Sequence, residues 1–316
     1  MKDHVNNISL LIPISVKDSK LFTYVIDFLF EFLPISNIIL ICNPKLIKVN
    51  VKKINTKIKI IDENQIIDFT QIKECIQSRF NSKYLKRAGW YYQQFLKMAF
   101  SQITDDDFYL VWDSDTIPLK KIELFNKNKK PFFDFKTEYH KPYFETLAQL
   151  IPNYCKSFEN SFISEHMVIN AKYMRELIDL IESNEKIKGK RFYEKIINTI
   201  NTKDFLKSGF SEFETYGTYV YKNYPNAYVY RPWISLRTGK RFLSPRSLNN
   251  KSLVEWLSKY YDAISFEKSD KGSLKKIIVK SEFFRRRYNA KDLEKINLIS
   301  CIKNIINLFL IKFISG

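Results

Sequence analysis

The chain has 316 residues, enough to bury a full core in one large domain with a tail or in two domains. A hydrophobic content of 45% with 16% aromatics excludes wholesale disorder. The net charge of +18 asks for a polyanion, an anionic lipid surface or a diphosphate as partner, although an AT-rich genome would raise Lys and Ile as well.

Glycine is scarce at 7 residues, and neither GxGxxG nor GxxxxGK[ST] occurs, so a nucleotide would have to be held without a glycine-rich loop. Cys42, Cys75, Cys155 and Cys301 show neither metal spacing nor a paired framework, which fits a reducing compartment. Asp3, Asn6 and Asn7 interrupt the N-terminus, which therefore does not read as a signal peptide. No run reaches the roughly 20 apolar residues of a spanning helix.

Residues 8–12 form an apolar strand ending at Pro13, followed by a polar turn over 15–20. Leu21, Phe22, Val25, Ile26, Leu29 and Phe32 recur at helical spacing, which predicts a helix over 21–33. Residues 37–42 and 57–61 read as two further strands. Strand, helix, strand, strand is the opening of a parallel α/β sheet, and its first carboxyl edge, near Pro13 and Ser15, is a natural seat for a base. A helix over 68–80 comes next, and another begins near Gly89. On it Arg87, Trp90, Gln94 and Lys97 fall at steps of 3, 4 and 3, so one stripe carries two cations, an amide and an indole. Such a stripe suits a phosphate or sugar hydroxyl, and it equally suits a solvated face with a half-buried Trp.

Asp105, Asp106 and Asp107 read as a solvated turn. After them, residues 109–118 (Tyr-Leu-Val-Trp-Asp-Ser-Asp-Thr-Ile-Pro) run from a buried strand into two carboxylates one residue apart. On an extended backbone Asp113 and Asp115 point to the same side, and Pro118 then stops the ladder for want of an N–H. Two carboxylates at the carboxyl end of a strand suit a hard divalent cation, while the same string also fits a plain polar turn. Residues 131–135 read as a short strand and 143–151 as a helix between Pro142 and Pro152. Residues 161–170 form a buried segment leading into a helix over 171–183. This segment carries His166, which fits a satisfied core histidine or, if it reaches the aspartates, a ligand.

Ser211 with Glu214 matches the capping box, which gives Glu214 a structural job and leaves Glu212 spare. A spare carboxylate at a helix start is a candidate general base, or a plain stabiliser of the helix dipole. Residues 228–233 are strand-like. Beyond them Arg237, Lys240, Arg241 and Arg246 surround Gly239 in a basic loop that would close over a diphosphate or stay solvated. From residue 268 to 303 there are 11 Lys/Arg against 4 Asp/Glu. Residues 296–314 then alternate apolar stretches with lysines. This pattern suits attachment to an anionic membrane face, or a helix packed on the core.

Three stretches taken together resemble one family: Arg-Ala-Gly-Trp-Tyr-Tyr-Gln-Gln-Phe-Leu-Lys (87–97), Trp-Asp-Ser-Asp-Thr (112–116) and Ser-Glu-Phe-Glu-Thr-Tyr-Gly (211–217). They are similar to a group of bacterial GT-A-type glycosyltransferases found in capsule and lipopolysaccharide gene clusters, over residues 8–245. The resemblance implies an α/β, Rossmann-related, mostly parallel sheet flanked by helices. It implies a catalytic domain over 1–245, with a donor half over 1–120 and an acceptor half over 121–245, and leaves 246–316 as a basic helical tail.

It also implies a nucleotide-sugar donor, UDP-linked, and Mn2+ or Mg2+ bridging the diphosphate to the aspartates. Asp115 would ligate the metal, Asp113 would touch the ribose or the metal's water shell, and His166 would be a further metal or substrate contact. Pro13, Arg87, Trp90, Gln94, Lys97, Ser114 and Arg237 would border the donor. Glu212 would take the acceptor's proton, giving inversion. The acceptor would be a lipopolysaccharide, capsule or other lipid-linked glycan at the inner face of the cytoplasmic membrane, with no nucleic acid as partner. A nucleotidyltransferase is the rival enzyme, but a glycine-rich signature is missing after Pro13. A nucleic-acid-binding protein is the non-enzymatic rival, and its binding would fall steeply with salt.

Overall fold

The structure is a computed structural model and describes residues 8–43, 45, 57–267 and 275–295. The expectations for the N-terminal seven residues, for Cys301, and for the tail at 268–274 and 296–316 lie outside the described residues.

The chain opens with β1 (Ile8–Pro13), α1 (Ser19–Phe32), β2 (Ile35–Cys42) and β3 (Ile58–Asp62). The short α2 (Glu63–Ile66), α3 (Phe69–Arg79) and α4 (Ala88–Ala99) follow, then β4 (Phe108–Trp112), β5 (Thr116–Pro118), β6 (Phe132–Phe135) and α5 (Lys141–Leu150). Next come β7 (His166–Asn170), α6 (Ala171–Glu182), α7 (Phe192–Thr199), α8 (Thr202–Phe205), α9 (Glu212–Asn223) and β8 (Val229–Pro232). The described chain ends with β9 (Ser235–Leu236), α10 (Gly239–Phe242), α11 (Lys251–Ser258), β10 (Ala263–Ser265), α12 (Lys275–Lys280) and α13 (Glu282–Arg287).

Two compact units emerge, and their boundaries differ from the halves expected from sequence. The first takes residues 1–23, 33–114 and 123–233, and the second takes 24–32, 115–122 and 234–316. In the first, a five-stranded sheet has the order β3-β2-β1-β4-β7. Its first four strands are parallel, and β7 lies antiparallel to β4. This is the expected α/β class with a mostly parallel sheet. β1, β2 and β4 are nearly continuous apolar runs because helices or loops cover both of their faces. β3 is the edge, and there Lys59 interrupts the run.

Local signals set the helix starts. Asp68 caps α3 by accepting from the Thr70 N–H, and Ser211 caps α9 by accepting from the Glu214 N–H. α9 is buried along its first nine residues, Glu212 to Val220. It can lie that deep because of Gly217. A Cβ there would sit 2.3 Å from the Phe162 ring, so helix and ring meet at backbone distance.

In the second unit β10 is the central strand, antiparallel to β5 and parallel to β9. Pro118 pairs with Ala263 as the last residue of β5 rather than stopping β4, which has already ended at Trp112. Residues 113–115 form the turn between those strands, so the extended-backbone argument for Asp113 and Asp115 does not hold. The expected basic loop after residue 233 is instead β9 and α10, with Gly239 buried against Ile264 and the Ser265 carbonyl. Among the described residues no helix is long and apolar enough to cross a membrane.

Gly217→Ala should force the Phe162 ring or the helix to shift. A loss of about 1–3 kcal/mol is expected, of the size that overpacking costs, read as a lower denaturation midpoint with an unchanged slope.

Candidate functional site

In an open sheet of this kind, ligands seat outside the carboxyl ends of the strands where strand order reverses. Here β2 and β3 lie to one side of β1 and β4 to the other, so the reversal falls between β1 and β4. Leu11 pairs with Val111. Pro13 ends β1, and Asp113 directly follows the end of β4, so both stand at the carboxyl ends of these neighbouring strands.

A cleft of about 210 Å3 opens one strand over, at the carboxyl ends of β1 and β2, and no residue of β4 lines it. Its floor is Pro13, Ile14 and Ile41 from the ends of β1 and β2, and its walls are Phe69, Tyr92 and Leu96. Ser15, Asn43, Glu63 and Gln93 add the polar groups. Phe69 and Tyr92 lean together with ring centroids 4.7 Å apart, and the Tyr92 hydroxyl donates to the Ile67 carbonyl at 2.6 Å. Burial, with Asp62 beside it, pushes the Glu63 carboxyl above its ordinary range. An aromatic, mostly apolar slot with a few acceptors and amides suits a flat heterocycle carrying hydroxyls. Its volume fits part of a drug-sized ligand rather than the whole.

Beside the cleft lies a chain of charges. Lys97 on α4 places Nζ 2.9 Å from Asp113 Oδ1 and 2.8 Å from Glu212 Oε1. The side chains of Lys97 and Glu212 are each 7% exposed, whereas that of Asp113 is 39% exposed. Burial alone would lower the Lys97 pKa, but Asp113 and Glu212 outweigh it and raise it, so the ammonium is charged at neutral pH. Gln94, one turn back, accepts from the Glu212 N–H at 3.2 Å. Glu212 is therefore not spare. Glu214 does not reach back to its cap either: its carboxylate accepts from the Ser161 hydroxyl.

The remaining expected residues separate. Arg87 precedes α4, donates to the Lys207 carbonyl and stacks on Trp90 at 4.1 Å. Neither Arg87 nor Trp90 lines the cleft. The helix turns Gly89, Tyr92, Gln93 and Leu96 to the cleft, so the lining face lies next to the stripe read from sequence. Ser114 sits on the turn after β4. Asp115 and Arg237 belong to the second unit, where Arg237 pairs with Glu267 at 3.4 Å.

His166 is 2% exposed and packs between Trp112 and Trp233 at ring distances of 4.8 and 4.3 Å. Its Nε2 meets Asp134 Oδ2 at 2.8 Å, and its Nδ1 is buried without a hydrogen-bond partner. In this structure it is a core group, because Nε2 is taken by Asp134 and Nδ1 is buried. Among the described residues no group of three or more His, Cys, Asp or Glu side chains gathers as a metal cage. One or two carboxylates suffice for Mg2+ or Mn2+ when substrate phosphates complete the shell, so the chemistry of Asp113 still fits such an ion.

Sequence reading missed the brace on the far side of β4. The Asp113 N–H donates to the Glu165 carbonyl at 2.9 Å. The Glu165 carboxylate accepts from Lys136 Nζ at 2.6 Å and from Trp233 Nε1 at 2.7 Å. Next to it, Arg231 grips Asp134 through Nε at 2.6 Å and Nη2 at 2.8 Å. The only available signal was a Glu-His pair inside an apolar run.

A family model described as "Family of unknown function (DUF6492)" matches residues 5–242. No curated protein sequence matches the chain. Among solved structures, mouse xyloside xylosyltransferase 1 in its apo form is 12% identical with a TM-score of 0.43, covering 84% of this chain and 99% of that one. Galactosyltransferase LgtC in complex with donor and acceptor sugar analogs is 10% identical with a TM-score of 0.40, covering 83% and 88%. Apo GlyE of Streptococcus pneumoniae TIGR4 is 10% identical with a TM-score of 0.36, covering 91% and 62%. Likeness at this level assigns neither activity nor substrate.

Burial raises the Asp134 pKa, but the hydrogen bonds from Arg231 and His166 outweigh it and hold the carboxyl below its ordinary value. A depressed folded pKa gives stability that is full above the unfolded value of about 3.9 and is lost as pH falls through the folded one. Asp134→Asn should cost on the order of 2–4 kcal/mol at neutral pH, the lower part of the range for a one-sided break of a buried pair because Arg231 is partly exposed. Melting temperature followed against pH should then show a flatter acid limb below about pH 4 in the variant.

Proposed function

We propose that this chain, which belongs to the DUF6492 family over residues 5–242, is a glycosyltransferase of GT-A type that takes its sugar from a UDP-linked donor. The observation that carries this reading is a nucleoside-sized slot at the ends of β1 and β2 beside the Lys97–Asp113–Glu212 charge chain. The motif resemblance supplies the reaction class.

The base would lie between the Phe69/Tyr92 wall and the floor at Pro13, with Asn43, Gln93 and Glu63 in hydrogen-bonding range of its polar edges or the ribose. The diphosphate would then run toward Asp113. Asp113 would hold Mg2+ or Mn2+ there, and the cation would neutralise the leaving diphosphate. Lys97 donates to Asp113 Oδ1 and fixes its side chain. The acceptor hydroxyl attacks the anomeric carbon as the bond to the diphosphate oxygen breaks. Its proton would pass to Glu212 through Oε2, since Oε1 belongs to Lys97. This route inverts the anomeric centre.

The burial of Glu212 favours a second reading of that one residue, as the counter-ion that holds Lys97 against Asp113. The acceptor in either case would be a capsule, lipopolysaccharide or other lipid-linked glycan at the inner face of the cytoplasmic membrane. In support of a membrane surface, α13 exposes Phe283 at 46%, and the Arg287 guanidinium lies 5.3 Å from that ring.

A thermal-shift screen of nucleoside diphosphates and nucleotide-sugars with Mn2+ should show a donor that raises the melting temperature, and donor hydrolysis should depend on the metal. No shift with any of them would remove the enzyme reading, while steeply salt-dependent nucleic-acid binding would favour the non-enzymatic one. Glu212→Gln separates its two roles. Loss of a base lowers transfer by roughly 10²–10⁴-fold with donor affinity kept, whereas loss of a counter-ion weakens donor binding as well.

Deleting residues 268–316 should reduce sedimentation with anionic liposomes. Unchanged sedimentation would refute membrane attachment through this region.

A further inference from the structure

A second cavity of the first unit, of about 400 Å3, lies where α3, α5 and α7 end, and nothing in the proposed reaction uses it. Its wall carries Arg79, Lys186 and Lys188 with Ser78, Gln149 and Asn198, and it contains no carboxylate. We infer that this cavity binds a phosphate-bearing ligand.

The charges decide between this and the ordinary alternative, in which cations at helix ends merely offset the carbonyl dipoles. Each helix C-terminus carries about half a negative charge, so three such ends offset roughly 1.5 of the three positive charges and leave about as much unmatched. Of the three cations, Arg79 alone among the described residues touches a helix end, Nη1 donating to the Ile197 carbonyl, while the neutral Asn184 amide donates to the Leu150 carbonyl at the end of α5. The half-buried Arg79 guanidinium lies over the Phe80 ring at 4.7 Å, and beyond the Ile197 carbonyl its N–H groups have no partner among the described residues. Lys186 and Lys188 are exposed and form no ion pair in the described structure.

An unmatched charge of that size calls for a dianion rather than a single carboxylate. A guanidinium anchored through one N–H, with two flexible ammonium groups beside it, matches the tetrahedral oxygens of a phosphate. The Gln149 amide is within the same wall for a sugar or alcohol attached to it. The cavity is separate from the nucleoside slot. Phe69 lines that slot at the start of α3 and Arg79 lines this cavity at its end, about 15 Å along the helix. The inference therefore stands independently of the proposed glycosyl transfer.

The test is calorimetric titration of the full chain with inorganic phosphate, glucose 1-phosphate, glucuronate and glucose, repeated on Lys186→Glu/Lys188→Glu and on Arg79→Gln. Saturable binding of the two phosphates is expected, with glucuronate much weaker and glucose silent. The exposed double substitution should leave the melting temperature unchanged and weaken phosphate binding by roughly tenfold or more. Tighter glucose 1-phosphate than inorganic phosphate would identify a phosphorylated sugar, and equal affinities a free oxyanion, each supporting the site. Wild-type affinity in the double variant would overturn it. So would displacement of bound phosphate by UDP with both variants unaffected, or glucuronate binding as tightly as phosphate.

Discussion

A buried ammonium ion needs its counter-charges in place before the chain around it can close. Lys97 has two, Asp113 and Glu212, brought by the end of β4 and the start of α9. Taking Lys97 or Glu212 out of water alone would cost several kcal/mol, and the pairing offsets that cost only while the geometry is kept. This is a demanding way to join a helix, a strand end and a second helix start. It makes the position of Asp113 a property of the core rather than of a loop.

The same strand end is held from the other side by a different kind of contact. The Glu165 carbonyl takes the Asp113 N–H, while the Glu165 carboxylate is fixed by Lys136 and Trp233. His166, opposite Trp112 in the β4–β7 ladder, is pinned by Asp134, which is itself gripped by Arg231. Backbone and side chain of Asp113 thus answer to two separate networks. A carboxylate held in this way arrives oriented, which is what charge stabilisation in a site requires.

What the sequence makes legible is local. The apolar runs of β1 and β2, the helix over 68–80 and the helical spacing after residue 87 each read correctly because neighbours in the chain decide them. The partners of Lys97 did not, since they lie 16 and 115 residues away and only the tertiary fold joins them. The lining face of α4 was misjudged by one residue, Gln94 for Gln93, because spacing gives a stripe but not the direction it faces. The turn after Trp112 was read as extended because β-forming residues flank it on both sides. His166 sat in an apolar run and is a core group there, though only its Nε2 is satisfied, by Asp134.

The reversed direction of β7 carries a consequence for how relatives diverge. A parallel strand would bring its far end to this sheet edge, but an antiparallel one brings its beginning, so the segment arriving there is the long connection before His166. That connection shares no residue with the slot between β1 and β2. Change at the exposed positions of that connection, such as Asn153, Cys155 and Glu159, can therefore proceed without touching the slot or the buried Ser161, Phe162 and Glu165 that hold its far end.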